Sequence, residues 1–196
     1  MKKKIKTSVS PGWARFCGWA LRKLGWESVG GPVPEKKAVI LGVPHTSIWD
    51  FVISYLFYTQ FGKVAHIMIK QEFFFWPLGA LLRACGAVPI DRQSPGAMIR
   101  SLIHAMDSVD EFHFAIAPEG TRKPVSHWKT GFHMIARETG ASVYLGYFDW
   151  KAKRISIGEH FEITDDVKAD MRRIYAYYRA LSPEGLHRDC FKIASD

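Results

Sequence analysis

Apolar and polar positions change period several times along these 196 residues. Short apolar runs of buried-strand type lie at Ala38 to Val43, Val64 to Ile69, Ala87 to Ile90, Phe112 to Ala117, Val143 to Phe148 and Arg154 to Ile157. Between most of them the apolar residues recur at helical spacing, over Trp49 to Phe61, Phe74 to Ala84, Pro95 to Ser108 and Lys129 to Thr139. Ser94 before Pro95 reads as an N-cap followed by a first-turn proline, and Gly140 stands where a C-cap belongs. A closing helix near Val167 to Leu181 gathers Met171, Ile174, Tyr175, Tyr178 and Leu181 on one face, which suits the core. Strand alternating with helix predicts an α/β layered fold, a largely parallel central sheet flanked by helices. The short link Asp149 to Lys153 predicts an antiparallel hairpin at one edge.

A chain of this length can bury one sizeable core, and neither a linker nor an internal repeat divides it. The expected organisation is a basic amphipathic helix within residues 1–30 followed by a single domain over 31–196. In the first segment Trp13, Phe16, Cys17, Ala20, Leu21 and Leu24 recur at i, i+3, i+4 spacing while Arg15, Arg22 and Lys23 lie off the stripe. That pattern fits an interfacial helix on a lipid surface and equally a first helix packed on the protein's own core.

Charge sharpens this picture. The formal net charge is +8, and residues 1–37 carry nine Lys or Arg against Glu27 and Glu35. A basic end of this kind suits an anionic surface, of phospholipid or nucleic acid. No segment reaches the roughly 18 uninterrupted apolar residues of a membrane-spanning helix; the nearest, Phe73 to Leu82, is interrupted by Pro77 and ended by Arg83. The opening lysines are not followed by a signal-peptide pattern, so the expectation is a cytoplasmic protein, peripheral on the cytoplasmic face of a membrane. Cys17, Cys85 and Cys190 are far apart and odd in number, against a disulfide framework or zinc site. No metal or cofactor is expected.

In open α/β sheets the binding crevice lies beyond the carboxyl ends of the strands. Four successive strand ends here carry reactive side chains: His45 and Asp50, then Lys70 with Glu72, then Asp91 and Arg92, then Glu119 to Arg122. Singly, each has a plain explanation. Asp50 can serve as a first-turn acidic residue, Lys70 can be a solvated loop lysine, Arg92 can pair with Asp91, and the Glu119 turn can carry a surface arginine. His45 and Asp50 would stand about 140° apart on one continuous helix, so they can meet only if His45 lies in the loop before it. Pro44 and the capping residues Thr46 and Ser47 favour that layout.

A histidine steadied by a carboxylate can take a proton from an alcohol attacking a carbonyl. No G-x-S-x-G and no neighbouring cysteine supplies a covalent nucleophile, and Ser47 reads better as a cap. H-E-x-x-H, Walker A and G-x-G-x-x-G patterns are missing, which disfavours zinc peptidases, P-loop NTPases and dinucleotide enzymes. Lys70, Arg92 and Arg122 suit a phosphate monoester. Together the parts describe an acceptor bearing a hydroxyl and a phosphate, acylated directly by a bound donor.

These residues resemble the glycerolipid acyltransferases that convert lysophosphatidic acid to phosphatidic acid. His45-x-x-x-x-Asp50 is similar to their H-x4-D block, Ile69 to Arg92 to their second block and Ala117 to Arg122 to their third. Trp128 to Phe132 resembles the lysine-glycine element beyond it. The likeness runs from about Ala38 to Gly146. Pro44 and Thr46 stand where the family usually has Asn and Gln, and Ala141 to Asp149 lacks the prolines of its fourth block.

The resemblance implies a glycerol-3-phosphate acyltransferase-like fold, with His45 as general base and Asp50 as its orienting partner. It further implies that Arg92, Glu119, Gly120, Thr121 and Arg122 bind the acceptor phosphate, with Lys70 and Lys129 in the same substrate-binding set. The donor would be acyl-CoA or acyl carrier protein, the acceptor a lysophospholipid and the setting an anionic membrane. Glycerol 3-phosphate or another lysolipid is the alternative acceptor. Other readings are a non-catalytic membrane- or nucleic-acid-binding protein, the latter without an RNA-recognition or helix-turn-helix signature, and a hydrolase passing the acyl group to water.

Overall fold

A computed structural model describes residues 5–90, 95–191 and 193; Arg92, Asp91 and the Ser94 cap lie outside them. In chain order the elements are α1 (Pro11–Lys23), β1 (Glu27–Val29), β2 (Lys37–Leu41), α2 (Trp49–Thr59), β3 (Ala65–Lys70), α3 (Leu78–Ala84), β4 (Ala87–Ile90), α4 (Pro95–Asp107) and β5 (Phe112–Ile116). They continue with α5 (Gly131–Thr139), β6 (Ser142–Tyr144), β7 (Tyr147–Asp149), β8 (Arg154–Ser156), β9 (His160–Phe161) and α6 (Val167–Leu181). Single 3-10 turns occupy Gln71–Phe73 and Arg188–Cys190.

The six-stranded sheet runs β4-β3-β5-β2-β6-β9, parallel throughout except for the edge pair β6 and β9. Alternate residues of β2 and its extension face opposite layers. Val39, Leu41 and Val43 join a core with Leu102, Met106, Phe132, Ile135, Ile174 and Tyr178 of α4, α5 and α6. Ala38 and Ile40 join Cys17, Leu21, Ile53, Leu56 and Phe57 of α1 and α2 on the other side. Burial on both faces explains why this strand reads as an unbroken apolar run.

The expected strand Val143 to Phe148 is two strands in two sheets. β6 pairs with β2, whereas β7 pairs antiparallel with β8 in a second, three-stranded sheet ordered β1-β8-β7. Gly146 makes the crossover: a Cβ there would lie 2.5 Å from Leu41 O and 3.2 Å from Ser156 O. The Asp149 to Lys153 link is a hairpin as expected, but on this second sheet. The helix expected from Phe74 begins only at Leu78, after Pro77, and the one expected from Lys129 begins at Gly131. Gly140 caps α5 in the left-handed region at φ 64°. Neither β1 nor β9, three and two residues long, left a periodic signal.

Helix α1 divides the stripe seen in its sequence. Ala14, Cys17, Gly18 and Leu21 are buried, while Trp13, Phe16, Trp19 and Leu24 stay about half exposed.

A buried polar knot ties α5 to α6. Asp170, fully buried, accepts from Thr164 N at 2.7 Å and Arg173 Nη1 at 3.1 Å and meets His133 Nε2 at 3.0 Å. Burial pushes its carboxyl upward, but the Thr164 and His133 contacts outweigh that and hold it below the usual carboxylate value. A depressed folded value adds stability above the unfolded value of about 3.9, and the contribution fades as pH falls further. Asp170→Asn is therefore expected to cost about 3 kcal/mol in urea unfolding at pH 7. The gap to wild type should narrow below pH 4.

Candidate functional site

Because β4, β3, β5 and β2 are parallel neighbours, their carboxyl ends open on one edge of the sheet, in that order. Lys70 ends β3, the Glu119 to Arg122 turn follows β5, and His45 follows β2. Parallel pairing thus assembles residues that are far apart in sequence.

At the β2 end, His45 sits in the loop and Asp50 in the first turn of α2. His45 Nδ1 lies 3.2 Å from Asp50 Oδ2. The same oxygen accepts from Thr46 N and Ser47 N, both at 2.7 Å. The helix itself begins after Ile48, which has no side-chain cap. Ser47 Oγ accepts from Trp49 N at 3.2 Å, a capping contact within the turn. Asp50 thus does both jobs raised by its position: it satisfies N–H groups at a helix start and holds the imidazole.

Asp50 is only 2% exposed, whereas the His45 side chain is 30% exposed. A carboxylate acceptor at Nδ1 selects the tautomer with the proton there, leaving Nε2 as the basic nitrogen. The second carboxylate oxygen, Oδ1, accepts from Trp150 Nε1 at 2.7 Å. Trp150, in the β7–β8 hairpin, was not among the residues expected from sequence. Its signal was a large aromatic in a five-residue link that is otherwise three charged residues and an alanine, and nothing local shows what it touches.

Glu119 is the inward-facing residue of the turn that the resemblance gives to the acceptor phosphate. It is buried, and its Oε1 accepts from His45 N at 2.8 Å. Gly120 has φ 65°, and the Lys129 side chain lies across it, with Cδ 2.9 Å from where a Cβ would be. The Lys129 backbone donates to Pro118 O at 2.7 Å, which closes the turn. Arg122 and Lys129 are exposed and, among the described residues, carry no ion pair. Thr121 is half-buried, and its Oγ1 accepts from Lys123 N. Lys70 is exposed, with Glu72 3.7 Å away. Burial pushes the Cys17 and Cys85 thiols up, which makes them poor nucleophiles.

Two carboxylates therefore touch one histidine residue in unlike surroundings. Burial raises the Glu119 carboxyl to about 7, with the Asp50 charge adding to the rise and the His45 N–H bond opposing it. Its Oε2 has no hydrogen-bond partner, so the ionised form is poorly solvated. A raised folded value means that the native state binds a proton the unfolded chain has released. Its stabilising contribution is complete below about pH 4.3 and is lost as pH rises through 7. Glu119→Gln should remove this part of the pH dependence. Unfolding free energy measured at pH 5 and pH 8 is expected to drop more for wild type than for the variant.

The acyltransferase family model matches residues 27–145. Among solved structures, the chain is similar to the 1-acyl-sn-glycerophosphate (LPA) acyltransferase PlsC from Thermotoga maritima. The two share 16% identity with a TM-score of 0.58 over 86% of this chain and 76% of that one. No curated protein sequence matches. The structural likeness shows the fold, and the family match spans more than half the residues and takes in His45, Asp50, Lys70 and Glu119 to Arg122. On that match this chain belongs to the acyltransferase family.

Proposed function

We propose that this acyltransferase moves a fatty acyl group from a thioester donor, acyl-CoA or acyl carrier protein, to the free hydroxyl of a lysophospholipid. The acceptor that best suits the site is 1-acyl-glycerol 3-phosphate, and the product is then phosphatidic acid. The observation that carries this reading is a partly exposed imidazole clamped through Nδ1 by a buried carboxylate, on the same sheet edge as Lys70 and Arg122.

In this mechanism His45 Nε2 takes the hydroxyl proton as the oxygen attacks the thioester carbonyl. The tetrahedral intermediate collapses by breaking the C–S bond, and the imidazolium returns the proton to the departing thiolate. Asp50 stabilises the imidazolium without accepting its proton. Glu119 holds the His45 backbone, and Lys70, Arg122 and Lys129 supply positive charge for the phosphate. Arg92 lies outside the described residues and belongs to this set by the resemblance of its sequence segment alone.

The acceptor is a lipid, and the surface suits a lipid boundary. Trp13, Phe16 and Trp19 form an exposed aromatic row on α1, with ring centroids 5.0 and 5.8 Å apart in succession, beside exposed Arg15, Arg22 and Lys23. Ile48 and Trp49 are exposed three and four positions beyond His45, and Phe73, Phe75, Trp76 and Leu81 project beyond β3. No helix of the described residues is long and apolar enough to cross a membrane. We place the protein peripherally on the cytoplasmic face, where aromatic side chains enter the headgroup region and the basic ones meet anionic lipid.

Three measurements test this reading. With a labelled long-chain acyl thioester and lysophosphatidic acid on anionic vesicles, wild type should form phosphatidic acid. His45→Ala, folded by its melting curve, should lose at least about 10²-fold in rate. Free fatty acid without an acceptor would instead indicate a hydrolase, and product from another lysolipid alone would correct the acceptor. Arg122→Ala should raise KM for the phosphorylated acceptor about tenfold or more, in line with loss of a charge-assisted contact. Phe16→Ser with Trp19→Ser should weaken vesicle co-sedimentation about tenfold or more without unfolding the chain, because neither side chain is part of the core.

A further inference from the structure

Asp50 Oδ2 is fully engaged by His45 Nδ1, Thr46 N and Ser47 N. A carboxylate held through one oxygen can still swing about its Cβ–Cγ bond, and a small rotation would carry Oδ2 away from the imidazole. The donor that stops this rotation is the Trp150 indole, at 2.7 Å from Oδ1. Trp150 is well chosen chemically: its N–H donates and cannot accept, so it neither competes for the His45 proton nor changes charge.

Several contacts fix the indole itself. It meets Trp26 edge to face, with centroids 4.9 Å apart, and the Lys153 ammonium sits 4.7 Å above its ring. Its backbone N–H donates to Glu184 O at 2.8 Å. Glu184 begins a strap that runs back across the other half of the clamp. At Gly185 a Cβ would lie 2.5 Å from Thr46 Cγ2, and His187 N donates to Thr46 Oγ1 at 3.3 Å. Thr46 is one of the two residues whose N–H binds Asp50 Oδ2. The strap from Glu184 to His187 therefore braces both oxygens of one carboxylate, through Trp150 on one side and Thr46 on the other. These residues lie beyond the span matched by the family model, which ends at residue 145.

We infer that Trp150 is a positioning residue of the acyl transfer, fixing the plane of the Asp50 carboxylate, with the Glu184 to His187 strap as its brace. This rests on the reading of His45 and Asp50 as the base pair. The role predicts an effect on turnover rather than on substrate binding, because Trp150 acts on the base through Asp50.

Trp150→Phe keeps the ring against Trp26 and Lys153 and deletes only the donor. Its expected outcome is a fall in kcat of about tenfold, the size of one charge-assisted hydrogen bond, with KM for donor and acceptor within about twofold. In an Asp50→Asn background the same change should cost no more than about twofold, since the bond it removes is already altered. The indole ¹⁵N–¹H resonance of Trp150, assigned by its absence in Trp150→Phe, should shift in Asp50→Asn, and this readout needs no substrate. Gly185→Ala, which sets a methyl group against Thr46 and so displaces the strap, should also lower kcat.

A folded Trp150→Phe with wild-type kcat, or with equal losses in both backgrounds, would overturn the inference. So would an indole resonance indifferent to residue 50; where Trp150→Phe does not fold, the resonance is assigned in wild type from its through-space contacts with the Trp26 ring. Wild-type protein inactive with every lysolipid and donor would overturn the proposed function instead, while the resonance still reports on the clamp.

Discussion

A carboxylate at 2% exposure is the constraint around which the site is arranged. An ion cannot stay charged in such a place without donors, and Asp50 collects three N–H groups besides the imidazole: two from its own turn and one from Trp150. Each donor fixes a piece of chain. The Thr46 and Ser47 amides set the path from β2 into α2, and that path places His45 outside the helix, where its ring can reach back. Were the helix to start one turn earlier, the pair would point to different sides of it.

Glu119 is the complement. Its oxygen holds the His45 amide, yet it has few donors of its own, and burial favours its neutral form near pH 7. One carboxylate beside the histidine is solvated by the protein and the other is not. This is how two similar side chains come to different places, one against the imidazole Nδ1 and the other on the backbone N–H of the same residue. Lys70, Arg122 and Lys129 are exposed, where an anion from solvent or a lipid surface can reach them.

Much of this was legible in sequence. The parallel strands announced themselves through unbroken apolar runs, and the carboxyl edge shared by such strands puts His45, Lys70 and the Glu119 turn along one side of the sheet. What escaped notice depends on contacts between distant positions. Trp150 bonds to a residue 100 positions away, and no local pattern carries that information. That the Glu119 carboxylate turns inward to the His45 amide is likewise set by packing, and its neighbours Gly120 and Arg122 give no sign of it. The switch of sheets at Gly146 was hidden because β6 and β7 are both apolar, and a single glycine separates one apolar run into two strands. On α1, periodicity found a stripe but could not tell its buried half from its exposed half, since both are aromatic or aliphatic.

The central claim is that His45 acts as a base on the acceptor, and chemical rescue addresses it most directly. The measurement is the acyl-transfer rate of folded His45→Ala with increasing imidazole in the buffer, beside wild type and Arg122→Ala. The account predicts a rate that rises with the concentration of neutral imidazole in His45→Ala alone. A His45→Ala protein that transfers at the wild-type rate without imidazole would contradict it.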